Sequence, residues 1–360
     1  MIVPLQPTGW HFYLNGKAVR LPSTVRDFFY ASWEDALWDL LKQLRIPQGS
    51  TVLVPSFFCG DVVTNMADHG LTTEFYPVDQ NFQTKPSLFA TYLKKARPQV
   101  VVILHAVGIT NRLLIQHQQW MSYLPSDTLL IEDSVHRVVE PDKLFFLTQR
   151  HVVMDSLRKV VPLPGSNLFT HPSLKLTPPP FHQALKYQVR VLGWWLVFQL
   201  FLHLSLLPFR SWQLFWNQQA EKAMLRGYDV IGDSPEAARG WRGGKWVARR
   251  LNIASIHRSK KQQVLLYLQL LESIWQSTKV FQIHFPVSDY HQLRGFPLGL
   301  HLSTANQVLA RLRSQGVLVR FELNDSPWSE QQKVVYLPLG PHLKDSQIHE
   351  VAKAVHNAIV

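Results

Sequence analysis

The sequence is poor in the residues that define several classes of protein. Its 360 residues include a single cysteine, Cys59, so no disulfide can form within the chain. Charged residues make up only 17% of the sequence, whereas 46% are hydrophobic, which is enough for a sizeable core. The chain does not open with a charged segment followed by an apolar one. We therefore expect no secretory signal and, by default, a reducing cytoplasmic setting.

Acidic residues are also scarce relative to basic ones. The 37 Lys and Arg residues outnumber the 25 Asp and Glu residues and give a formal net charge of +12. Such an excess favours an anionic partner: a phosphorylated sugar, an anionic lipid surface or a nucleic acid. Because no recognised nucleic-acid-binding motif is present, we expect no nucleic-acid partner.

Apolar runs rich in Val, Ile and Leu alternate with helical stretches in the first half of the chain. The runs show little polar alternation, which predicts strands buried on both faces and hence a mainly parallel sheet with helices on each side. The predicted strands are residues 51–54, 73–78, 99–104, 128–132 and 151–155. Residues 1–30 contain three prolines and are predicted to form an irregular arm over the main domain or a partner subunit.

The first large helix is predicted over residues 32–45. Ser32 suits its N-cap, and Glu34 and Asp35 suit its first turn, where negative charge is favourable. The two acids therefore have a structural explanation that competes with a catalytic one.

Residues 151–166 carry the first chemical signal. A short apolar strand leads to Ser156, then to Lys159, and ends in a Pro/Gly turn. A lysine just beyond a strand end lies where α/β enzymes bind ligands, and this placement suits a Schiff-base lysine. A surface lysine at a strand exit is the alternative interpretation.

A second signal lies upstream, where an apolar strand ends in Glu132 and Asp133, with His136 following. An aspartate at a strand end can keep the pyridinium nitrogen of pyridoxal 5'-phosphate (PLP) protonated, which makes the ring an electron sink. The spacing between Asp133 and Lys159 fits two neighbouring strands of one sheet. Asp133 alone is equally compatible with a helix N-cap.

The order of these features resembles the fold-type-I PLP-dependent enzymes, and more narrowly the DegT/DnrJ/EryC1/StrS family of sugar-type aminotransferases. Five motifs carry the resemblance and follow the family's order along most of the chain. They are PQGSTVLVPSFFC at 47–59, FYPVD at 75–79, VVVILHAVG at 100–108, LIEDSVH at 130–136 and YLPLGPHL at 336–343.

The resemblance implies an α/β fold of type I with a mainly parallel central sheet. It implies a large PLP-binding domain over residues 31–274, a small C-terminal α+β domain over 275–360, and a homodimer with the site at the subunit boundary. The reaction would move an amino group from a glutamate-like amino acid to a keto substrate, such as a nucleotide-linked keto sugar. A lyase or dehydratase using the same cofactor is a further alternative.

The resemblance also implies roles for individual residues. Lys159 would hold PLP covalently and act as the base, while Asp133 would keep the ring nitrogen protonated. The other residues expected at the cofactor are His136, Ser156, Ser32, His105 and Phe58, with Arg320 on an anionic group of the substrate. His105 and Phe58 have structural alternatives as a buried histidine and a core aromatic, and Arg320 as a solvent-facing strand residue. No metal is expected.

Two turns depart from the family pattern. Where the family places a Ser-Gly-Thr-like turn that holds the cofactor phosphate, this chain has Ser32, Trp33 and Glu34. The turn after Lys159 has the single glycine Gly165, where relatives often have two. The alternative hypothesis is therefore a non-catalytic scaffold that docks on a membrane or on a partner of a polysaccharide pathway.

Two further segments bear on that alternative. Residues 190–209, within an expected helical insertion at about 181–220, are strongly apolar and are compatible with a core or dimer helix, an interfacial helix or a membrane span. Residues 237–261 are predicted to form a basic loop with interleaved tryptophans. An anionic lipid headgroup or a nucleotide diphosphate would suit this loop, so peripheral membrane contact is expected through both segments. A solvated face is the structural alternative.

Overall fold

The apolar runs of the sequence form the strands of the structure. The computed structural model describes residues 3–4, 7–14, 16–177, 180, 184–207, 210–231 and 237–359. The strands are β1 (Val3–Pro4), β2 (Arg26–Tyr30), β3 (Thr51–Pro55), β4 (Thr72–Tyr76), β5 (Val100–Leu104), β6 (Leu129–Asp133), β7 (His151–Met154), β8 (Ser166–Thr170), β9 (Val280–Phe281), β10 (Phe296–His301), β11 (Val317–Leu318) and β12 (Gln332–Leu337).

The α-helices cover both halves of the chain, and several short 3-10 turns link them to the strands. The helices are α1 (Trp33–Gln43), α2 (Gly60–Asp68), α3 (Pro86–Ala96), α4 (Arg112–Ile115), α5 (Leu185–Leu204), α6 (Arg210–Val230), α7 (Arg242–Ala248), α8 (Ile253–Leu270), α9 (Leu302–Ser314) and α10 (Asp345–Ile359).

Seven strands form the central sheet, in the order β2-β8-β7-β6-β5-β3-β4. Strands β7, β6, β5, β3 and β4 are parallel, whereas β8 pairs antiparallel with both β7 and the edge strand β2. The five strands predicted from the apolar runs are all present, each within two residues of its predicted ends. The prediction of a mainly parallel sheet is confirmed.

The N-terminal segment is more regular than predicted. Residues 26–30 form β2, and Val3–Pro4 pairs with Val317–Leu318 of the C-terminal part of the chain. The sequence hides β2 because an edge strand is only partly buried, so its residues lack the continuous apolar character of a central strand. The prediction of an entirely irregular arm over residues 1–30 is therefore wrong.

Helix α1 begins as predicted. The Ser32 side chain accepts a hydrogen bond from the Asp35 amide at 3.0 Å and donates one to Asp35 Oδ2 at 2.6 Å. The Asp35 carboxylate also accepts bonds from the Ala238 amide at 2.9 Å and from the Tyr187 hydroxyl at 3.0 Å. This single carboxylate therefore joins the start of α1, the start of α5 and the segment after α6.

Helices α5 and α6 pack on each other as a hairpin. Phe198 and Leu202 of α5 form a small core with Ala220 and Ala223 of α6. Other apolar side chains of the hairpin are exposed: Leu185, Val189, Leu196 and Leu200 of α5, and Trp212, Phe215 and Leu225 of α6. No helix in the described part of the chain is long and apolar enough to cross a membrane, contrary to the transmembrane interpretation of residues 190–209. Positions 181–183, 208 and 209 of the predicted insertion lie outside the described residues.

The basic segment is not the loop that the sequence predicts. It forms α7 and the first turns of α8, and several of its cations are engaged within the chain. Lys245 Nζ and Arg249 Nη2 lie 3.0 and 2.8 Å from Asp27 Oδ1. Lys260 is buried, which together with the nearby Arg294 lowers the pKa of its ammonium group to about 7. Gly240 and Gly244 allow this segment to approach the ring of Phe29 closely.

The C-terminal part contains a three-stranded antiparallel sheet in the order β12-β10-β9, packed with α9 and α10. Strand β9 is short, because only Val280–Phe281 pairs with β10. The domain boundaries at 31–274 and 275–360 stay a prediction.

We expect Gly240→Ala to lower the free energy of unfolding by about 1–3 kcal/mol, as overpacking does. Its Cβ would lie 2.4 Å from Phe29 Cδ1 and 2.7 Å from the Tyr30 carbonyl oxygen. The matched control is Gly193→Ala within α5, whose Cβ meets nothing within 4 Å. That change should raise stability by about 0.5–1 kcal/mol. Urea unfolding measures both, and equal losses in the two variants would contradict the close approach.

Candidate active site

A cavity of about 700 Å³ lies at the carboxyl ends of β5, β6 and β7. Its walls come from the first turns of α1, from α2, from the end of α6 and from residues 294 and 320–325. Ligands of open α/β sheets bind at this edge, outside the carboxyl ends of the strands. Its size is within the usual range for small-molecule sites.

The fold brings six of the predicted site residues into this cavity, although they come from four separate segments of the chain. These residues are Phe58, Asp133, His136, Ser156, Lys159 and Arg320. Of the other two, Ser32 lies in an adjoining smaller cavity and His105 lines neither.

Asp133 ends β6, and its side chain is almost completely buried. Its Oδ1 accepts a hydrogen bond from the Val135 amide at 3.1 Å. Burial raises the pKa of the Asp133 carboxyl to about 7, against an opposing effect of the Lys159 ammonium. Within the described chain no cation lies in ion-pair contact with Asp133, so a bound cationic group would find an acceptor there.

Lys159 is carried by a short 3-10 turn, residues 157–159, beyond β7. The Leu157 amide donates to the Gly165 carbonyl at 3.0 Å, which closes the loop. Gly165 has φ +114°, and a Cβ there would lie 2.4 Å from the Phe29 ring, so this one glycine is required. Asp155 fixes the strand exit by accepting two bonds from Asn167 at 2.6 and 2.8 Å.

His136 is buried beside the cavity as a neutral ring. Its Nδ1 accepts a hydrogen bond from the Val107 amide at 3.1 Å, and its Nε2 lies 3.3 Å from Arg294 Nη1. Burial and the nearby Lys159 and Arg294 cations hold the pKa of His136 well below its usual value. The ring is therefore suited to packing and orientation rather than to proton transfer near neutral pH.

The structure does not place His105 at the cavity. Its Nε2 lies 2.9 Å from Glu132 Oε1, and its Nδ1 accepts from the Asn111 amide at 3.1 Å. Glu132 also lies 3.4 Å from His151 Nε2. Burial acts to raise the pKa of Glu132, but hydrogen bonds from the two histidines hold it well below its usual value. Successive strand residues point to opposite faces, so Glu132 and Asp133 serve different sides of the sheet.

Ser32 is engaged by Asp35, as described above, and acts as a helix cap. The two neighbouring side chains, Trp33 and Glu34, line the large cavity. Glu34 therefore brings its carboxylate to the end of α1 where the resemblance expects a phosphate. The altered turn of the sequence therefore places an acidic side chain at the cavity.

Several cavity residues were missed by the sequence reasoning, chiefly Arg158, Tyr228, Arg294 and Glu322. Arg294 Nη1 lies 2.7 Å from Glu322 Oε2, a buried ion pair, and the Arg294 Nε and Nη2 atoms have no hydrogen-bond partner within the described chain. Arg158 is adjacent to Lys159 in sequence, which was a usable signal. Tyr228 had none, because only the fold of the α5–α6 hairpin brings it to the site.

A group of possible metal ligands lies outside the cavity. Atoms of Glu140, His257 and His291 lie within 4.8 Å of one another. The carboxylate is already engaged, with Lys143 Nζ at 2.9 Å and Gln292 Nε2 at 3.4 Å. We assign no metal role to this group, and the expected absence of a metal stays a prediction.

The donors and acceptors of the large cavity fit PLP. Burial raises the pKa of Asp133, and no cation of the described residues is in contact with it, so a protonated ring nitrogen would supply the missing donor. Lys159 lines the same cavity and offers a primary amine. Cationic side chains that can receive an anionic phosphate are also present in Arg158 and Arg320.

Comparison with known proteins supports the same fold. No family model and no curated protein matches the chain. Among solved structures it is similar to a DegT DnrJ EryC1 StrS aminotransferase from Brucella abortus, at 14% identity and a TM-score of 0.57, covering 93% of this chain and 86% of the other. It is also similar to Helicobacter pylori PseC, an aminotransferase involved in the biosynthesis of pseudoaminic acid, at 11% identity and a TM-score of 0.58, again covering 93% and 86%.

A third similar structure is the putative sugar aminotransferase Spr1654 from Streptococcus pneumoniae in its PMP form, at 13% identity and a TM-score of 0.56, covering 92% and 87%. This chain has the fold of these aminotransferases. The resemblance drawn from the five sequence motifs is confirmed at the level of the fold, as is the assignment to fold type I.

We expect Asp133→Asn to stabilise the cofactor-free protein at about pH 8 by about 2–4 kcal/mol. Folding raises the carboxyl pKa from 3.8 to about 7, so the ionised form is penalised in the folded state. The penalty is complete above pH 7 and fades as the pH falls towards 4, where Asp133 is protonated in both states. Urea unfolding at both ends of this range measures the difference.

The control for that experiment is Asp61→Asn on the exposed side of α2. An exposed carboxylate should change stability by less than about 0.5 kcal/mol at either pH. If the stability difference between Asp133→Asn and the parent is the same at pH 4 and pH 8, then burial does not penalise the Asp133 carboxylate.

Proposed function

We propose that this protein is a PLP-dependent aminotransferase that moves an amino group from a glutamate-like amino acid to a keto substrate. The proposal is carried by one observation: Asp133 and Lys159 line the same cavity at the carboxyl ends of β6 and β7. The fold shared with sugar aminotransferases supports it. A nucleotide-linked keto sugar is the acceptor we favour, because the cavity is large and the chain is strongly basic.

PLP, when bound, supplies an electron sink that stabilises negative charge at the substrate Cα. Asp133 would accept the hydrogen bond of the protonated ring nitrogen, which removes the cost of its own buried charge. Lys159 would hold the cofactor covalently in the resting enzyme. Once displaced by the amino donor, its amine would take the proton from the substrate Cα and deliver it to the former aldehyde carbon of the cofactor, across the intervening nitrogen.

The surrounding side chains would position the ring and the substrate. Phe58 is almost fully buried and presents an aromatic surface at the cavity wall. The neutral His136 ring also lines the cavity, and its Nδ1 accepts a hydrogen bond from the Val107 amide. Arg320 is the candidate for an anionic group of the substrate. Glu322, 3.9 Å away, and Tyr228 raise the pKa of its guanidinium against the effect of burial, so its charge is secure.

The first experiment is a visible absorbance spectrum after addition of PLP, before and after borohydride. The parent protein is expected to give a visible band that borohydride abolishes, leaving the reduced cofactor covalently attached to the peptide that contains Lys159. Lys159→Ala should lose both the band and the covalent fixation. Lys42→Ala, on the exposed side of α1, is the matched control and should behave as the parent does.

A folded parent protein that gives no band with saturating PLP would contradict the proposal. Borohydride that still attaches PLP to Lys159→Ala at the level of the parent would also contradict it, because another lysine would then be responsible.

A second candidate function is a non-catalytic fold-type-I scaffold that docks on an anionic membrane. The exposed apolar side chains of the α5–α6 hairpin favour it, together with the exposed Trp246, whose ring lies 4.0 Å from the Arg250 guanidinium. A colourless protein that sediments with anionic vesicles, and less so after Leu196→Glu, would support this candidate. A yellow protein that stays in the supernatant would support the enzyme. The expected homodimer and the cytoplasmic setting stay predictions.

A further inference from the structure

The large cavity opens beside a smaller one, of about 40 Å³, that the α5–α6 hairpin covers. Four residues line both cavities and so form the boundary between them: Ser156, Arg158, Tyr228 and Ile231. The first two belong to the strand exit that carries Lys159, and the other two lie at the end of α6.

The charged side chains of the two cavities differ in sign at the positions that a phosphate could reach. Among the described residues that line the smaller cavity, Arg158 is the only charged one. The Ser32 hydroxyl also lines the smaller cavity but is already bonded to Asp35, and the first turn of α1 presents Glu34 to the large cavity. A phosphate dianion would be repelled by Glu34 and attracted by Arg158.

The pKa of Tyr228 reports the electrostatic potential at the boundary between the two cavities. The Arg158 guanidinium lies 4.3 Å from the centroid of its ring, and the positive charge of Arg320 also acts on its hydroxyl. Burial alone would raise the pKa of Tyr228, but Arg158, Arg320 and Lys159 outweigh it and lower the value to about 8. A field that stabilises a phenolate to this extent also stabilises a phosphate.

Arg158 is also the cation best able to take a new anion. Arg294 and Arg320 lie 2.7 and 3.9 Å from the Glu322 carboxylate. In the described part of the chain, no carboxylate lies within ion-pair distance of Arg158. Its planar guanidinium suits bidentate binding of phosphate, and the Ser156 hydroxyl beside it can donate a further bond.

We propose that Arg158, Ser156 and Tyr228 form the subsite for the cofactor phosphate, so that the inserted helical hairpin takes over the task of the altered turn at the start of α1. This inference rests on the proposed function, because it assigns one end of the same ligand. It explains how a chain with Trp33 and Glu34 at that turn can still retain PLP.

The test compares PLP with pyridoxal, which has the same ring and aldehyde but no phosphate. The dissociation constant of each ligand is measured by quenching of tryptophan fluorescence for the parent and for Arg158→Gln. The dissociation constant of pyridoxal divided by that of PLP reports the contribution of the phosphate alone. We expect Arg158→Gln to reduce this ratio by about tenfold or more, through weaker PLP binding with pyridoxal binding nearly unchanged. Tyr228→Phe should reduce it by a smaller factor.

Glu34→Gln, at the first turn of α1 in the large cavity, is the matched control. If the phosphate lies at the hairpin, removal of the Glu34 charge should change the ratio by less than about threefold. Arg158→Lys keeps the charge and should recover part of the phosphate contribution. Circular dichroism and thermal unfolding establish that each variant is folded.

Three results would overturn the proposal. Arg158→Gln that weakens both ligands equally, or neither, would mean that Arg158 does not bind the phosphate. A large rise in the ratio in Glu34→Gln would place the phosphate at α1. A folded parent that binds neither ligand would refute the proposed function itself, and this result is distinct from the other two because it appears before any variant is made.

Discussion

The burial of the Asp133 carboxylate, without a cation in contact with it in the described structure, is the constraint on which the rest of the site depends. The parallel strands carry Asp133 to the edge of the sheet, and the turn after β7 brings Lys159 to the same cavity. That turn is fixed by the bonds between Asp155 and Asn167 and by the close approach of Gly165 to Phe29. The fold thus maintains a costly carboxylate and an amine within one cavity, and a ligand with a cationic ring nitrogen and an aldehyde would satisfy both.

A second carboxylate, Asp35, organises the other side of the site. It binds the Ser32 hydroxyl, the Ala238 amide and the Tyr187 hydroxyl, and burial raises its pKa to about 7. These bonds attach the α5–α6 hairpin to the first turn of α1. The same attachment engages the Ser32 hydroxyl, which the resemblance assigned to the cofactor. The turn at the start of α1 and the α5–α6 hairpin are therefore joined through one carboxylate.

Much of the fold followed from local patterns. The central strands are continuous apolar runs because both of their faces are covered, and such runs are visible without knowledge of their partners. Strand β2 and helix α7 escaped prediction for the opposite reason. The first is an edge strand that gains its bonds from β8, and the second contains Gly243 and Gly244, which are poor helix formers. Gly244 packs against the ring of Phe29, which is distant in sequence, and Gly243 packs against the ring of Trp241 at the start of the helix.

By itself, the sequence determined the chemistry available to this protein: an aspartate and a lysine at two strand ends, a capped helix before the first of the central strands, and an excess of positive charge. Tertiary structure alone decided which of these groups meet. It directed Glu132 and His105 to one side of the sheet and Asp133 to the other, and it brought Tyr228 beside Arg158. The physical reason is that a side chain's type is local, whereas its burial and the electric field it experiences depend on distances to residues far away in the chain, which only the packed fold sets.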